Sequence, residues 1–169
     1  METYQTEDEQ VQAIKDWWKE NGRAVIAGLI IGIGAIAGYR YWTNYQTTQS
    51  EQASLLFARV IASAANADST QAFEQGKSLI VDYSGTPYAA LSALTLSKLA
   101  MDTADYTTAA AQLRWVIDNS SDEGLKHVAR LRLSRVLAAQ GKPDLAISLL
   151  NETDTSGFTT LYHDTRGDI

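Results

Sequence analysis

Residues 96–113 read LSKLAMDTADYTTAAAQL and residues 133–150 read LSRVLAAQGKPDLAISLL; laid over one another without a gap, they stand 37 residues apart. Leu96 falls on Leu133, Ser97 on Ser134, Lys98 on Arg135, Ala109 on Ala146 and Leu113 on Leu150. Apolar residues recur at spacings of three and four, the period of a helix and not the alternation of a strand. Turn residues interrupt each copy in the middle, at Asp102-Thr103-Ala104-Asp105 and at Gly141-Lys142-Pro143. Each copy is therefore helix, tight turn, helix, and such a repeated pair predicts an all-α stack whose hairpins cover one another's apolar faces. A further step of 37 back from Ala109 reaches Ala72, but Gly76 then stands where Leu113 and Leu150 do, so the first copy is degenerate.

Turn chemistry sets the remaining boundaries. Asn66-Ala67-Asp68-Ser69 reads as a turn, with Asp68 or Ser69 capping a helix through Phe73, Leu79 and Ile80 to about Asp82. Ser84-Gly85-Thr86-Pro87 places a C′ glycine, an N-cap threonine and an N1 proline ahead of a helix to Asp102. Tyr106 to about Asp118 follows, then Ser120-x-x-Glu123 as a capping box for a helix from about Asp122 to Gln140, then Pro143 to Asn151. Residues 157–169, GFTTLYHDTRGDI, look like the first helix of another repeat, with Arg166-Gly167 at its crossing. No partner helix follows, which leaves the last repeat incomplete and predicts a fragment, or a chain completed by a partner.

The unit resembles the tetratricopeptide repeat. In that family a helical hairpin of about 34 residues carries a small residue midway along its first helix and an alanine early in its second, where the two cross. Ser97 and Ser134 match the first position, Ala109 and Ala146 the second. Tyr106 matches the aromatic position before the second helix, whereas Pro143 replaces it in the next copy, and Ala93 and Arg130 stand where the family has tryptophan. The resemblance implies an α-solenoid of hairpins with a concave face lined by the first helices. Those helices offer Lys126, Arg130, Arg132 and Arg135 near His127; each pair shares a helix face and could hold an acidic or C-terminal carboxylate ligand, or could simply face solvent.

Ahead of the stack, Ala24–Tyr39 reads AVIAGLIIGIGAIAGY, sixteen residues without a charge between Arg23 and Arg40. The hydrocarbon core asks for roughly 20 residues, and snorkelling arginines with Tyr41 and Trp42 in the headgroup layer extend the span to 21–42. We read it as a transmembrane helix. Gly28 with Gly32, and Gly34 with Gly38, form small-xxx-small ridges that admit a partner helix or a second copy of the chain. Lys15, Lys19 and Arg23 precede the span, while after Arg40 no base occurs until Arg59, so the N-terminus is expected in the cytoplasm.

Residues 1–20 then form a cytoplasmic arm: 1–10 acidic and disordered, followed by a short amphipathic helix from Val11 through Ile14 to Trp17 and Trp18. These tryptophans are interface anchors or a docking site for a cytosolic protein. Residues 43–169 form the periplasmic domain, beginning with a helix to about Ala65 along Tyr45, Gln49, Gln52, Leu56, Val60 and Ser63 that can run on unbroken from the span.

Glu20-Asn21-Gly22-Arg23, the glycine ladder and Arg40-Tyr41-Trp42 ahead of a repeat domain resemble the YfgM-like family, ancillary subunits of the bacterial SecYEG translocon. That resemblance implies a single-pass protein of the inner membrane, N-terminus inside. It would act as an adaptor between the secretion channel and periplasmic folding factors such as the membrane-anchored chaperone PpiD. Two rivals are a self-associating membrane scaffold or stress-signalling anchor acting through the cytoplasmic arm, and a secreted protein released after Ala35-Ile36-Ala37. The acidic arm, with six acids against three bases before the span, disfavours the last.

Other chemistries find little footing. Residues 43–169 carry ten bases against fourteen acids, which does not support a nucleic-acid footprint. There is no cysteine for a disulfide or thiol. His127 and His163 lack the companions of a metal site, no serine sits in a GxSxG elbow, and these polar residues read as solvated surface; neither enzyme nor cofactor is expected. Gly32-x-Gly34-x-x-x-Gly38 is not a dinucleotide fingerprint, Gly76-Lys77-Ser78 lacks the first glycine and the strand of a phosphate loop, and Arg166-Gly167-Asp168 in a helix is a coincidental adhesion tripeptide.

Overall fold

The computed structural model describes residues 7–151 and 157–169, and every regular element among them is an α-helix. The order is α1 (Glu7–Ala65), α2 (Ser69–Asp82), α3 (Pro87–Asp102), α4 (Tyr106–Asn119), α5 (Glu123–Ala139), α6 (Pro143–Asn151) and α7 (Thr159–Gly167). The chain divides into two units, residues 1–46 and 47–169. The expected disorder of 1–10 lies partly outside the described residues, but α1 already includes Glu7 to Gln10. The amphipathic helix expected from Val11 is likewise no separate element, because nothing between Glu7 and Ala65 breaks the helix: no proline intervenes, and each of its five glycines costs only about 1 kcal/mol.

Within residues 47–169, one turn is made three times. Ala67, Ala104 and Gly141, spaced 37 apart, take left-handed backbone at φ 59°, 56° and 74°. The next N–H in each case, of Asp68, Asp105 and Lys142, closes on the carbonyl of Ser63, Ala100 and Leu137 at 3.0, 2.8 and 2.9 Å. This is the six-to-one closure that satisfies an orphan carbonyl at a helix end. Asp68 and Asp105 then cap the following helix, accepting the N–H of Gln71 and Thr108 at 3.0 Å each. Hydrogen bonds from Thr108, side chain first and then backbone, hold the Asp105 carboxyl below the ordinary carboxylate range.

The turns between hairpins depart from expectation in two places. Gly85 is not in left-handed backbone; the N–H and hydroxyl of Thr86 both close on the Tyr83 carbonyl, at 2.9 and 2.8 Å, so the chain turns without it. Ser120 does not cap α5. Asp122 does, accepting from the Leu125 N–H at 3.1 Å, while Ser120 ends α4 and accepts from the Asp122 N–H. An aspartate one residue before the helix outcompetes a serine three before it, and Glu123 turns instead to Lys126 at 2.7 Å.

The Ser63 hydroxyl, near the end of α1, reaches the Gln71 and Gln75 side chains of α2, helices α2 to α6 pack in sequence, and α7 closes on α5 and α6. Ser97, Ala109, Ser134 and Ala146 are all buried, and the Ser134 hydroxyl donates to the Leu131 carbonyl at 2.8 Å. Gly76, the apparent mismatch in the first copy, has its own packing reason. A Cβ there would stand 2.9 Å from both Leu96 methyls and from the Ser92 hydroxyl, and both side chains are fully buried. Glycine is what lets α2 approach α3.

The last helix is held by polar contacts. The Tyr162 hydroxyl, fully buried, meets His127 Nδ1 at 2.9 Å, and the His127 ring stacks on Phe158 at 4.5 Å between centroids. Arg166 donates to the Leu150 carbonyl at 2.7 Å, on the final turn of α6. His127 is thus not solvated surface but a strut between α5 and α7. Gly167, expected at a crossing, is exposed with open space around it, whereas Tyr162 and Thr165 take the buried positions of α7.

Candidate protein-binding groove and membrane segment

Stepping by 37 along the first helices relates Phe57, Leu94 and Leu131; Ala58, Thr95 and Arg132; Ile61, Lys98 and Arg135; and Ala65, Asp102 and Ala139. Members of every set line one hollow of about 490 Å³ between α1, α3 and α5, with Leu91 and Leu99 adding to its apolar floor. These apolar residues went unnoticed in the sequence reading, which looked for charge. The 37-residue step, applied face by face, would have found them.

The four candidate basic residues do not form one stripe. Lys126 is half-buried and bound to Glu123, whose carboxyl is held low first by that hydrogen bond. Arg130 is half-buried on the same side of α5. Arg135 is exposed and reaches α7, 3.3 Å from the Thr165 hydroxyl and 3.6 Å from the Asp168 carboxylate. Arg132, exposed, lines the hollow. A residue in α5 moves about 100° round the axis per step, so Arg130 and Arg132 lie on nearly opposite faces.

In the first unit, α1 is the one helix among the described residues long and apolar enough to cross a membrane, by length and composition. Gly28, Gly32, Gly34 and Gly38 have nothing within 4 Å of where a Cβ would be. Trp17, Trp18, Tyr41 and Trp42 are exposed, as are Arg23 and Arg40. The Trp18 indole lies against Gly22, 3.3 Å from its Cβ position, and the Asn21 side chain donates to the Trp17 carbonyl at 3.1 Å. Among the described residues, no three metal-ligating side chains cluster.

A family model described as Tetratricopeptide repeat-like domain matches residues 15–169. The Ancillary SecYEG translocon subunit of Escherichia coli (strain K12) is 34% identical over 170 residues, which cover 99% of this chain and 81% of that protein. The protein of the same name from Haemophilus influenzae is 36% identical over 168 residues, covering 96% of this chain and 79% of its own length. That from Neisseria gonorrhoeae is 27% identical over 170 residues, covering the whole of this chain and 81% of its own. No solved structure matches the chain. With the repeats and their turns in the pattern that the match spans, the chain belongs to the YfgM-like family of ancillary SecYEG translocon subunits and carries its tetratricopeptide repeat-like domain.

Proposed function

We propose that the chain is a non-enzymatic adaptor of the bacterial inner membrane that associates with the Sec translocon and, through its repeat domain, with a periplasmic chaperone such as PpiD. The observation that supports this reading is the hollow between the first helices of the stack, whose floor of Phe57, Ile61, Leu91, Leu94 and Leu99 fits the apolar side chains of a protein partner. The relatives' name supplies the translocon as a partner. On this reading residues 21–42 cross the bilayer, Trp17, Trp18, Arg23, Arg40, Tyr41 and Trp42 sit at its interfaces with lipid, and residues 43–169 are periplasmic. Gly28, Gly32, Gly34 and Gly38 present the close-packing face to a helix of the channel.

The test is a detergent-solubilised pull-down from intact bacterial membranes, read by mass spectrometry. The full chain is compared with residues 43–169 and with a variant carrying Gly28→Leu, Gly32→Leu, Gly34→Leu and Gly38→Leu. Translocon subunits recovered by the full chain and lost on leucine substitution support the adaptor. Recovery of the chain alone, as a homo-oligomer, or of cytosolic proteins through the arm around Trp17 and Trp18, overturns it in favour of a self-associating scaffold.

A further inference from the structure

The turns between hairpins enclose a cleft that shares no residue with the groove. It measures about 90 Å³ and is lined by Ser84, Thr86 and Pro87 from the α2–α3 turn and by Trp115, Asn119 and Asp122 from the α4–α5 turn. Trp115 is half-buried. A step of 37 relates it to Ser78 and to Glu152, so the repeat itself does not require an aromatic ring at this position.

Two acceptors in the lining are left without partners. Asp122 gives Oδ1 to the Leu125 N–H at 3.1 Å, and its second carboxylate oxygen forms neither a hydrogen bond nor an ion pair among the described residues. Asn119 donates its Nδ2 to the Trp115 carbonyl at 2.9 Å, which leaves Oδ1 free to accept. The charge around the cleft has one sign. From Asp82 to Pro87 and from Trp115 to Glu123 the chain carries four acids, Asp82, Asp118, Asp122 and Glu123, and no base. The starts of α3 and α5 are partly positive, but Asp122 already caps that of α5, and full charges outweigh the partial ones. A carboxylate or phosphate is therefore repelled and a cation attracted.

An aromatic face beside two free acceptors suits a guanidinium better than an ammonium. The guanidinium is planar, so it can lie on an indole while its fork of N–H groups reaches both acceptors, whereas an ammonium is a compact, strongly hydrated point charge. The cleft has room for the end of one long side chain and not for a length of backbone, so the rest of the ligand stays outside.

Resting on the adaptor reading for the presence of a protein partner, we propose that this cleft docks an arginine side chain of that partner. The guanidinium stacks on Trp115 and donates to Asp122 Oδ2 and Asn119 Oδ1. This puts a second protein contact on the turns between hairpins, separate from the groove.

The probes are N-acetyl-arginine amide, its neutral isostere N-acetyl-citrulline amide, and N-acetyl-lysine amide. The full chain is labelled with fluorotryptophan and placed in phosphatidylcholine nanodiscs, and Trp115→Phe identifies the fluorine resonance of Trp115 among those of Trp17, Trp18 and Trp42. The arginine probe is expected to shift that resonance saturably and to bind about five-fold tighter than the citrulline probe, the upper range for an exposed ion pair. Asp122→Asn, which keeps the helix cap, lowers the arginine probe to the citrulline level. Asp118→Asn, an exposed acid of the same edge outside the lining, leaves its affinity within about two-fold. No shift, an equal response to the citrulline or lysine probe, or a preference that survives in Asp122→Asn overturns the proposal. If it fails while the full chain still recovers translocon subunits from membranes, the adaptor stands and only this contact is wrong.

Discussion

Gly76→Ala is the sharpest perturbation the stack offers, because two effects of opposite sign meet at one methyl group. In a helix interior, alanine is worth about 1 kcal/mol over glycine, which by itself would stabilise α2. Against that, the new Cβ stands 2.9 Å from both Leu96 methyls and from Ser92 Oγ, half an ångström inside ordinary contact. Neither neighbour has solvent to retreat into, since both are fully buried. Overpacking of this kind costs about 1–3 kcal/mol, and displacing Ser92 also strains its 3.3 Å hydrogen bond to the Gly76 carbonyl, worth about 1 kcal/mol. The clash wins, for a net loss of about 1–2 kcal/mol, or a fall of roughly 3–8 °C in Tm for a domain of this size.

Urea and thermal unfolding of the full chain in mild detergent, followed by circular dichroism, would measure it. Gly85→Ala, at a position with open space and ordinary backbone, is the control and should be neutral or slightly stabilising. Leu96→Val should partly rescue Gly76→Ala, with a coupling above about 0.5 kcal/mol in the double-mutant cycle. A Gly76→Ala chain as stable as the parent, or one showing no coupling to residue 96, would refute the close approach of α2 to α3.

The turns, the strut and the caps supply further outcomes. Ala67→Gly and Ala104→Gly should each stabilise the domain by up to about 1 kcal/mol, and Gly141→Ala should destabilise it by a similar amount, because left-handed backbone costs an L-residue about 1–2 kcal/mol; denaturant midpoints would show it. Tyr162→Phe leaves His127 Nδ1 without its partner and should cost about 1–2 kcal/mol, whereas Tyr162→Ala also opens a cavity and should cost about 3–5 kcal/mol, with limited proteolysis reporting release of α7. The carboxyls of Asp105 and Glu123 are lowered in the folded state, so their contribution is present above the unfolded pKa and is lost as pH falls through the folded one. Stability should therefore decline with acidification below about pH 4, with a shallower slope in Asp105→Asn, measured by urea unfolding across pH.

Much of this architecture was legible because its signals are local. Apolar residues at helical spacing, Pro87 and Pro143 at helix starts, and Asp68 and Asp105 before their helices each mark an element without reference to the rest of the chain. The burial of Ser97 with Ala109, and of Ser134 with Ala146, was legible for a different reason: the 37-residue register aligned these small residues. What stayed hidden depended on tertiary contact. Ala67 and Ala104 adopt backbone that favours glycine, and nothing in an alanine announces it; only their spacing from Gly141 does. His127 looked like surface because its partners, Phe158 and Tyr162, lie about thirty residues away in a helix whose docking the repeat pattern does not specify. Helical spacing pairs Lys126 with Arg130 and Arg132 with Arg135, but it does not say that the two pairs lie on different sides of α5, the first half-buried and the second exposed. Of the groove's lining, Arg132 was legible as a charge on a first helix, whereas the apolar floor was not.

The three related positions Ile61, Lys98 and Arg135, and their neighbours Ala58, Thr95 and Arg132, change character from hairpin to hairpin while the backbone that presents them is repeated. On a strictly repeated surface a bound chain could slide by one unit at little cost. In the hollow of about 490 Å³, α1 contributes Phe57 and Ile61, α3 the Lys98–Asp102 pair and α5 Arg132. An occupant that meets both the apolar side chains of α1 and the charged ones of α3 and α5 is thereby fixed in register.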